Sequence, residues 1–208
     1  MNGKNIKIIS NSIYCNAPNW LNISNNKEYI ILSKSTTKQE IDLFLFSLFV
    51  YNNISFTDNP KKSFQNLING FDKEEVVLGG GLMFCNNDVE ILPSCCCGLE
   101  QWQEVIADIS HRKTVWLGHD PFPTIEYKDN SIIVWSDDCL GIFGSAKSKS
   151  DLQSIEFTNG EVISSLAQLE IDVSEFITIP LYGRVKEIGS HVSEALMAAL
   201  MKWFGTSE

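Results

Sequence analysis

The stretch Val76–Trp102, "VVLGGGLMFCNNDVEILPSCCCGLEQW", decides the fold class. "EVVLGGGLMFC" (75–85) reads as a strand, a glycine break and a second strand. Asn86-Asn87-Asp88 makes a turn, and "VEIL" (89–92) makes another short strand. After Pro93 and three consecutive cysteines the pattern changes from period two to period 3.6. Leu99, Trp102, Ile106 and Ile109 share one helical face, opposite Glu100, Gln101, Glu104 and Asp108. Strands that run directly into a helix, without a regular βαβ rhythm, predict an α+β fold with a mixed or antiparallel sheet packed by helices.

Working outward, "IKIIS" (6–10) and "EYIILSK" (28–34) are strand-like, with an Asn-rich loop between them. Thr37 and Glu40 form a capping box, and a helix follows to about Tyr51. Ile41, Leu43, Phe44, Leu45, Phe46, Leu48, Phe49 and Val50 make it apolar nearly all round. It is therefore a central element or one side of a subunit interface. "DNPKKSFQNLINGF" (58–71) predicts a short helix with Pro60 in its first turn and Gly70 beyond its end. "KTVWL" (113–117), "TIEY" (124–127) and "SIIVWS" (131–136) are strand candidates, the last two joined by a turn at 128–130. "LQSIEF" reads as a strand and "EVISSLAQLE" as a helix, while "DVSEFITI" fits either state. A C-terminal amphipathic helix over 190–204 carries a stripe of Val192, Ala195, Leu196, Ala199, Leu200 and Trp203. Ser190 is its N-cap and Gly205 lies just past its end. Residues 1–208 read as one domain, with "GSAKSKSD" (144–151) as the best candidate for a lobe boundary.

The 208 residues are 44% hydrophobic and 20% charged, the balance of an ordinary globule. The opening "MNGKNIKIIS" has too short an apolar core for a signal peptide, and the apolar run at 43–51 is too short for a membrane span. The expected location is the cytoplasm, where the six cysteines stay reduced. A net charge of -10 argues against nucleic acid and anionic membranes as partners and allows a basic protein to be steered in.

Candidate chemistry concentrates in three places. The Cys95-Cys96-Cys97 run precedes a helix. In an extended segment Cys95 and Cys97 face one way and Cys96 the other, so a metal would take Cys95 and Cys97, helped by Cys85, His111, His119 or Cys139. Open N–H groups at the helix start would lower a thiol pKa, at Cys97 first and then Cys95. His111, His119 and His191 are the available bases, none at a recognisable local spacing. Alternatively, the cysteines are small apolar residues that a tight turn requires. "WLGHDPFP" places His119 beside Asp120 in a loop, and Asp137-Asp138 end a strand. With His119 these two carboxylates would hold a cation. Gly79-Gly80-Gly81 lacks the residues of a phosphate loop and fits a close backbone crossing.

The order "GGGLMF … ILPSCCCGLEQWQE … WLGHDPFP … IIVWSDD" resembles a set of uncharacterised bacterial proteins. They carry a Gly-Gly-Gly strand, a Pro-x-Cys-Cys-Cys-Gly-Leu-Glu-x-Trp segment and a Gly-His-Asp-Pro loop. The match covers about residues 76–138 and, more loosely, the C-terminal helix. Such proteins look like immunity partners encoded beside polymorphic toxins. A weaker similarity is to the SUKH immunity superfamily, although Leu92-Pro93 here follows the glycines instead of preceding them. The resemblance implies a non-enzymatic binder without a cofactor, which neutralises a basic toxin domain through an acidic surface. His119, Asp120, Asp137 and Asp138 are its candidate contacts. The rival is a metal- or thiol-dependent protein centred on Cys95–Cys97 and the His119-Asp120 loop.

Overall fold

A computed structural model describes residues 3–13, 17–23, 27–73, 76–187 and 190–206, without the side chains of 190 and 191. Its elements in chain order are β1 (Asn5–Asn11), β2 (Tyr29–Ile31), α1 (Lys38–Tyr51), α2 (Pro60–Asp72), β3 (Gly80–Cys85), β4 (Glu90–Ile91), α3 (Trp102–Ser110), β5 (Thr124–Lys128), β6 (Ser131–Trp135), β7 (Ser154–Thr158), α4 (Asn159–Phe176), α5 (Tyr182–Lys186) and α6 (Ser190–Trp203). The fold is α+β with two antiparallel sheets, ordered β2-β1-β3-β4 and β5-β6-β7. The chain divides into two compact units, Met1–Ile9 with Gly79–Glu170 and Ser10–Leu78 with Ile171–Glu208.

In the first unit β5 and β6 form a hairpin closed by a two-residue turn, with Lys128 opposite Ser131, and β7 pairs on the far side of β6. All five residues of β6, the middle strand, are buried, whereas β7 alternates and turns Ile155 and Phe157 inward. The ring of Phe157 meets Phe84 of β3 edge-on at 6.1 Å. β3 is buried along its whole length and makes a hairpin with β4, Phe84 opposite Ile91. Residues 76–78 do not form the strand expected before the glycines. Pairing begins with an isolated bridge between Gly79 and Gly98, and the Gly80 N–H donates to the Cys97 carbonyl at 3.1 Å. Gly81, at φ 138°, has the reason for the glycine run: a Cβ there would lie 3.1 Å from Cys97 Sγ and 3.6 Å from Pro93. The glycines admit the 93–97 segment against the strand, as a close crossing requires. Gly144–Asp151 is a loop inside this unit, ending in a single 3-10 turn over Lys149–Asp151.

In the second unit the capping box is present: the Glu40 N–H donates to the Thr37 hydroxyl and the Thr37 N–H to the Glu40 carboxylate. Residues 40–49 of α1 are all buried. Phe44 packs on Phe176 and Phe204, and Phe49 on Trp20, Phe56 and Phe64. This corrects the interface alternative, because no face of the helix core is left open for a second subunit. α2 runs two residues beyond Gly70, which lies inside the helix and not past its end. A Cβ on Gly70 would stand 2.9 Å from Ile54 Cδ1, so the glycine serves packing. The ambiguous "DVSEFITI" is helical. α4 passes into a π turn at Ile177–Leu181 that contains Pro180, whose missing N–H cannot continue an α ladder. The buried face of α6 is Ser193, Leu196, Met197 and Leu200, continued by Phe204, and Ala195 is exposed. The inner stripe is thus rotated from the expected one. Gly205 closes the helix at φ 66°, and the N-cap expected at Ser190 gives way to a helix that already includes Ser190. Beneath these helices Arg184 Nε donates to Asp42 Oδ1 at 2.5 Å, with side chains 9% and 0% exposed.

Candidate functional site

The site lies in the first unit, where the segment around Cys95 runs beside the loop around His119. The Ser94 N–H donates to the Leu117 carbonyl at 2.8 Å and the His119 N–H to the Cys95 carbonyl at 3.1 Å. Residues 113–117 do not form the expected strand, and these two bonds, with an isolated bridge between Cys95 and His119, join the segments instead. The approach depends on Gly118. At φ 93°, its backbone lies so near the neighbouring segment that a Cβ would stand 2.5 Å from the Cys95 carbonyl oxygen and 2.6 Å from that of Ser94.

The three cysteines do not alternate as an extended chain would. Cys96 has φ 64°, and the Cys97 N–H turns back to the Ser94 carbonyl at 3.3 Å. This left-handed residue puts Cys95 and Cys96 on the exposed side and sends Cys97 inward beneath Gly81. Cys97 is thus removed from the expected metal pair, and Cys96 takes its place. Cys95 Sγ lies 2.8 Å from His119 Nδ1, and Cys96 Sγ lies 3.5 Å from His119 Nε2. One ligand atom from each of Cys95, Cys96 and His119 falls within 4.8 Å of the other two.

The Cys95 and Cys97 thiols are both pushed above their ordinary pKa. Burial, then the Glu100 charge, pushes the Cys97 thiol up to about 11. Desolvation, then the Cys96 thiol and the Asp120 charge, raise Cys95 against a lowering bond at His119. The helical segment begins with a 3-10 turn at Leu99–Gln101 that leads directly into α3.

Beside the cysteines is an aromatic cluster. Trp116, 39% exposed, meets Phe143 edge-on at 5.2 Å, Phe122 at 5.8 Å and His119 at 6.1 Å, and Phe122 stacks on Phe143 at 5.9 Å. The two acids at the end of β6 hold this cluster from behind. Asp137 Oδ1 accepts from the Phe122 N–H at 3.0 Å and from the Asp138 N–H at 2.8 Å. Asp138 is buried and accepts from the N–H groups of Leu140, Ile142, Phe143 and Gly144. Burial alone would raise its pKa, but the backbone bonds from Phe143, Ile142 and Gly144 outweigh it and hold the carboxyl below its ordinary value. Both carboxylates are engaged by the main chain and do not converge with His119 on a cation. Asp120 remains outward, its side chain 90% exposed and 4.0 Å from His119 Nδ1.

The other candidates lie elsewhere. Cys85 and Cys139 are buried, the latter 3.9 Å from the Thr124 hydroxyl. His111 Nδ1 bonds the Ala107 carbonyl at the end of α3, and the His191 side chain is outside the described residues. Sequence reasoning missed Cys96 and the aromatic cluster. The sequence signal for Trp116 is a tryptophan set between two aliphatic residues, Val115 and Leu117, while nothing local announces the left-handed turn at Cys96. No protein-family model, curated protein or solved structure matches this chain.

Proposed function

We propose that the protein is a cytoplasmic protein-binding module of the immunity type, which neutralises a basic toxin domain. The observation that carries this reading is the half-open aromatic cluster. Trp116 is braced by Phe122 and Phe143 yet 39% exposed, with Leu140 at 39% and Ile142 at 44% on the neighbouring loop. A rigid tryptophan among apolar neighbours is the anchor type that dominates binding energy at protein interfaces. Exposed Asp120 and the chain's net charge of -10 supply the attraction for a basic surface. Among the described residues no helix is long and apolar enough to cross a membrane.

The test is recovery of bound proteins from the native host with the tagged wild type and with Trp116→Ala, at low and high salt. The expected result is one near-stoichiometric basic partner, weakened at high salt. Trp116→Ala, assayed well below its melting temperature, should bind it roughly 30-fold less tightly, the scale of an anchor loss of about 2 kcal/mol. A partner held equally by Trp116→Ala, or none at all, overturns the reading.

A further inference from the structure

We infer that Cys95, Cys96 and His119 form a site for a single zinc ion, with the fourth coordination position open to solvent. Four observations converge. Two thiols and an imidazole are a donor set suited to zinc and disfavoured by magnesium and calcium, which take oxygen ligands. The donors come from two segments pinned by the Cys95–His119 bridge, so their backbones are set before any ion arrives. The left-handed Cys96 turns its thiol to the side of Cys95, which an extended run would not do. The spacing also fits. Donors on a tetrahedral zinc stand roughly 3.5–3.8 Å apart, from bonds of about 2.3 Å to sulfur and 2.0–2.1 Å to nitrogen. The three ligand atoms already lie within 4.8 Å of one another, and Cys95 Sγ needs to draw back less than about 1 Å from the ring.

The exchange is balanced without a redox partner. Zinc forms two bonds to sulfur and one to a ring nitrogen. Two S–H bonds break and both protons pass to solvent, while water occupies the remaining position. Three protein ligands and an open position distinguish this arrangement from a closed structural site. The site stands independently of the partner-binding reading, since metal uptake is measured on the purified protein alone.

The experiment uses untagged, full-length, reduced protein titrated with zinc, with cobalt substitution as a spectroscopic probe. Alkylation mapped by mass spectrometry reports which thiols zinc protects. The expected result is about one zinc per chain. A sulfur-to-cobalt charge-transfer band should appear, and both Cys95 and Cys96 should be protected. Cys96→Ser and His119→Asn should each weaken binding by at least the roughly 10–100-fold that loss of even an outer partner costs. Both residues have partly or fully exposed side chains, and circular dichroism establishes that the variants fold. His111→Asn, on the end of α3, should bind as wild type does. No zinc uptake by the wild type, alkylation unaffected by zinc, or uptake unchanged in both site variants overturns the assignment.

Discussion

Replacing Gly118 with alanine should detach the two segments that make the site. The new methyl would stand 2.5 Å from one carbonyl oxygen and 2.6 Å from another, both backbone atoms that cannot rotate away. Relief requires the 117–119 loop to retreat by roughly half an ångström or more, at the expense of the two bonds that hold it, Ser94 to Leu117 and His119 to Cys95. Each is worth about 1 kcal/mol net. An alanine at φ 93° adds roughly 1–2 kcal/mol of backbone cost. The sum is about 3–4 kcal/mol, which lowers the melting temperature of a chain this long by roughly 6–16 °C. Denaturant unfolding measures the loss directly. Gly144→Ala is the matched control, because nothing lies within 4 Å of its added Cβ, and it should stay within about 0.5 kcal/mol of wild type. A Gly118→Ala protein within 1 kcal/mol of wild type, with Cys95 no more reactive to alkylation than before, would refute the steric reasoning.

Three other perturbations test separate parts of the molecule. Asp42→Ala leaves the Arg184 cation buried without its nearest carboxylate and should cost about 3–5 kcal/mol by denaturant unfolding. Splitting the cysteine run should separate its roles: Cys97→Ser, buried beneath Gly81, should destabilise by about 1–3 kcal/mol, whereas Cys95→Ser should change stability by less than about 0.5 kcal/mol. Asp138→Asn should destabilise at neutral pH, since the carboxylate organises the 140–144 loop. Its folded pKa is lowered, so the charged form's contribution is full above the ordinary value of 3.8 and is lost as pH falls through the lower folded value. The gap between wild type and Asp138→Asn, measured by melting temperature against pH, should therefore close below about pH 4.

Elements whose cause is local were legible in the sequence. The Thr37 capping box, the apolar α1, the β5–β6 hairpin and the Gly205 terminus each depend on residues within a few positions of one another. The misread positions answer to distant partners. Gly70 reads as a helix stop, but its purpose is contact with Ile54. The strand expected ahead of Gly79 is likewise absent over 76–78, whereas the close crossing expected at the glycines is present and admits a segment more than ten residues ahead. The same difference governs the site. His119 and Asp120 could be marked from their loop, whereas the exchange of Cys97 for Cys96 follows from one positive φ. Asp137 and Asp138 look like a cation pair in sequence because the backbone N–H groups that engage them carry no sequence signal.

The discontinuity of both units has a consequence for how the molecule comes to exist. The first five residues of β1 belong to a unit whose remainder begins only at Gly79. At roughly 5–20 residues per second of synthesis, that strand waits about 4–14 s for its neighbour β3. The wait of α1 is longer. Phe44 finds its ring partners at Phe176 and Phe204, which are translated more than a hundred residues later. For all that interval the Phe44 side of the most apolar helix lacks its native cover, while Phe49 already has Trp20, Phe56 and Phe64, so a nascent chain bound by a holdase is the expected course of its birth. For the same reason, neither unit can be expressed as a single uninterrupted fragment.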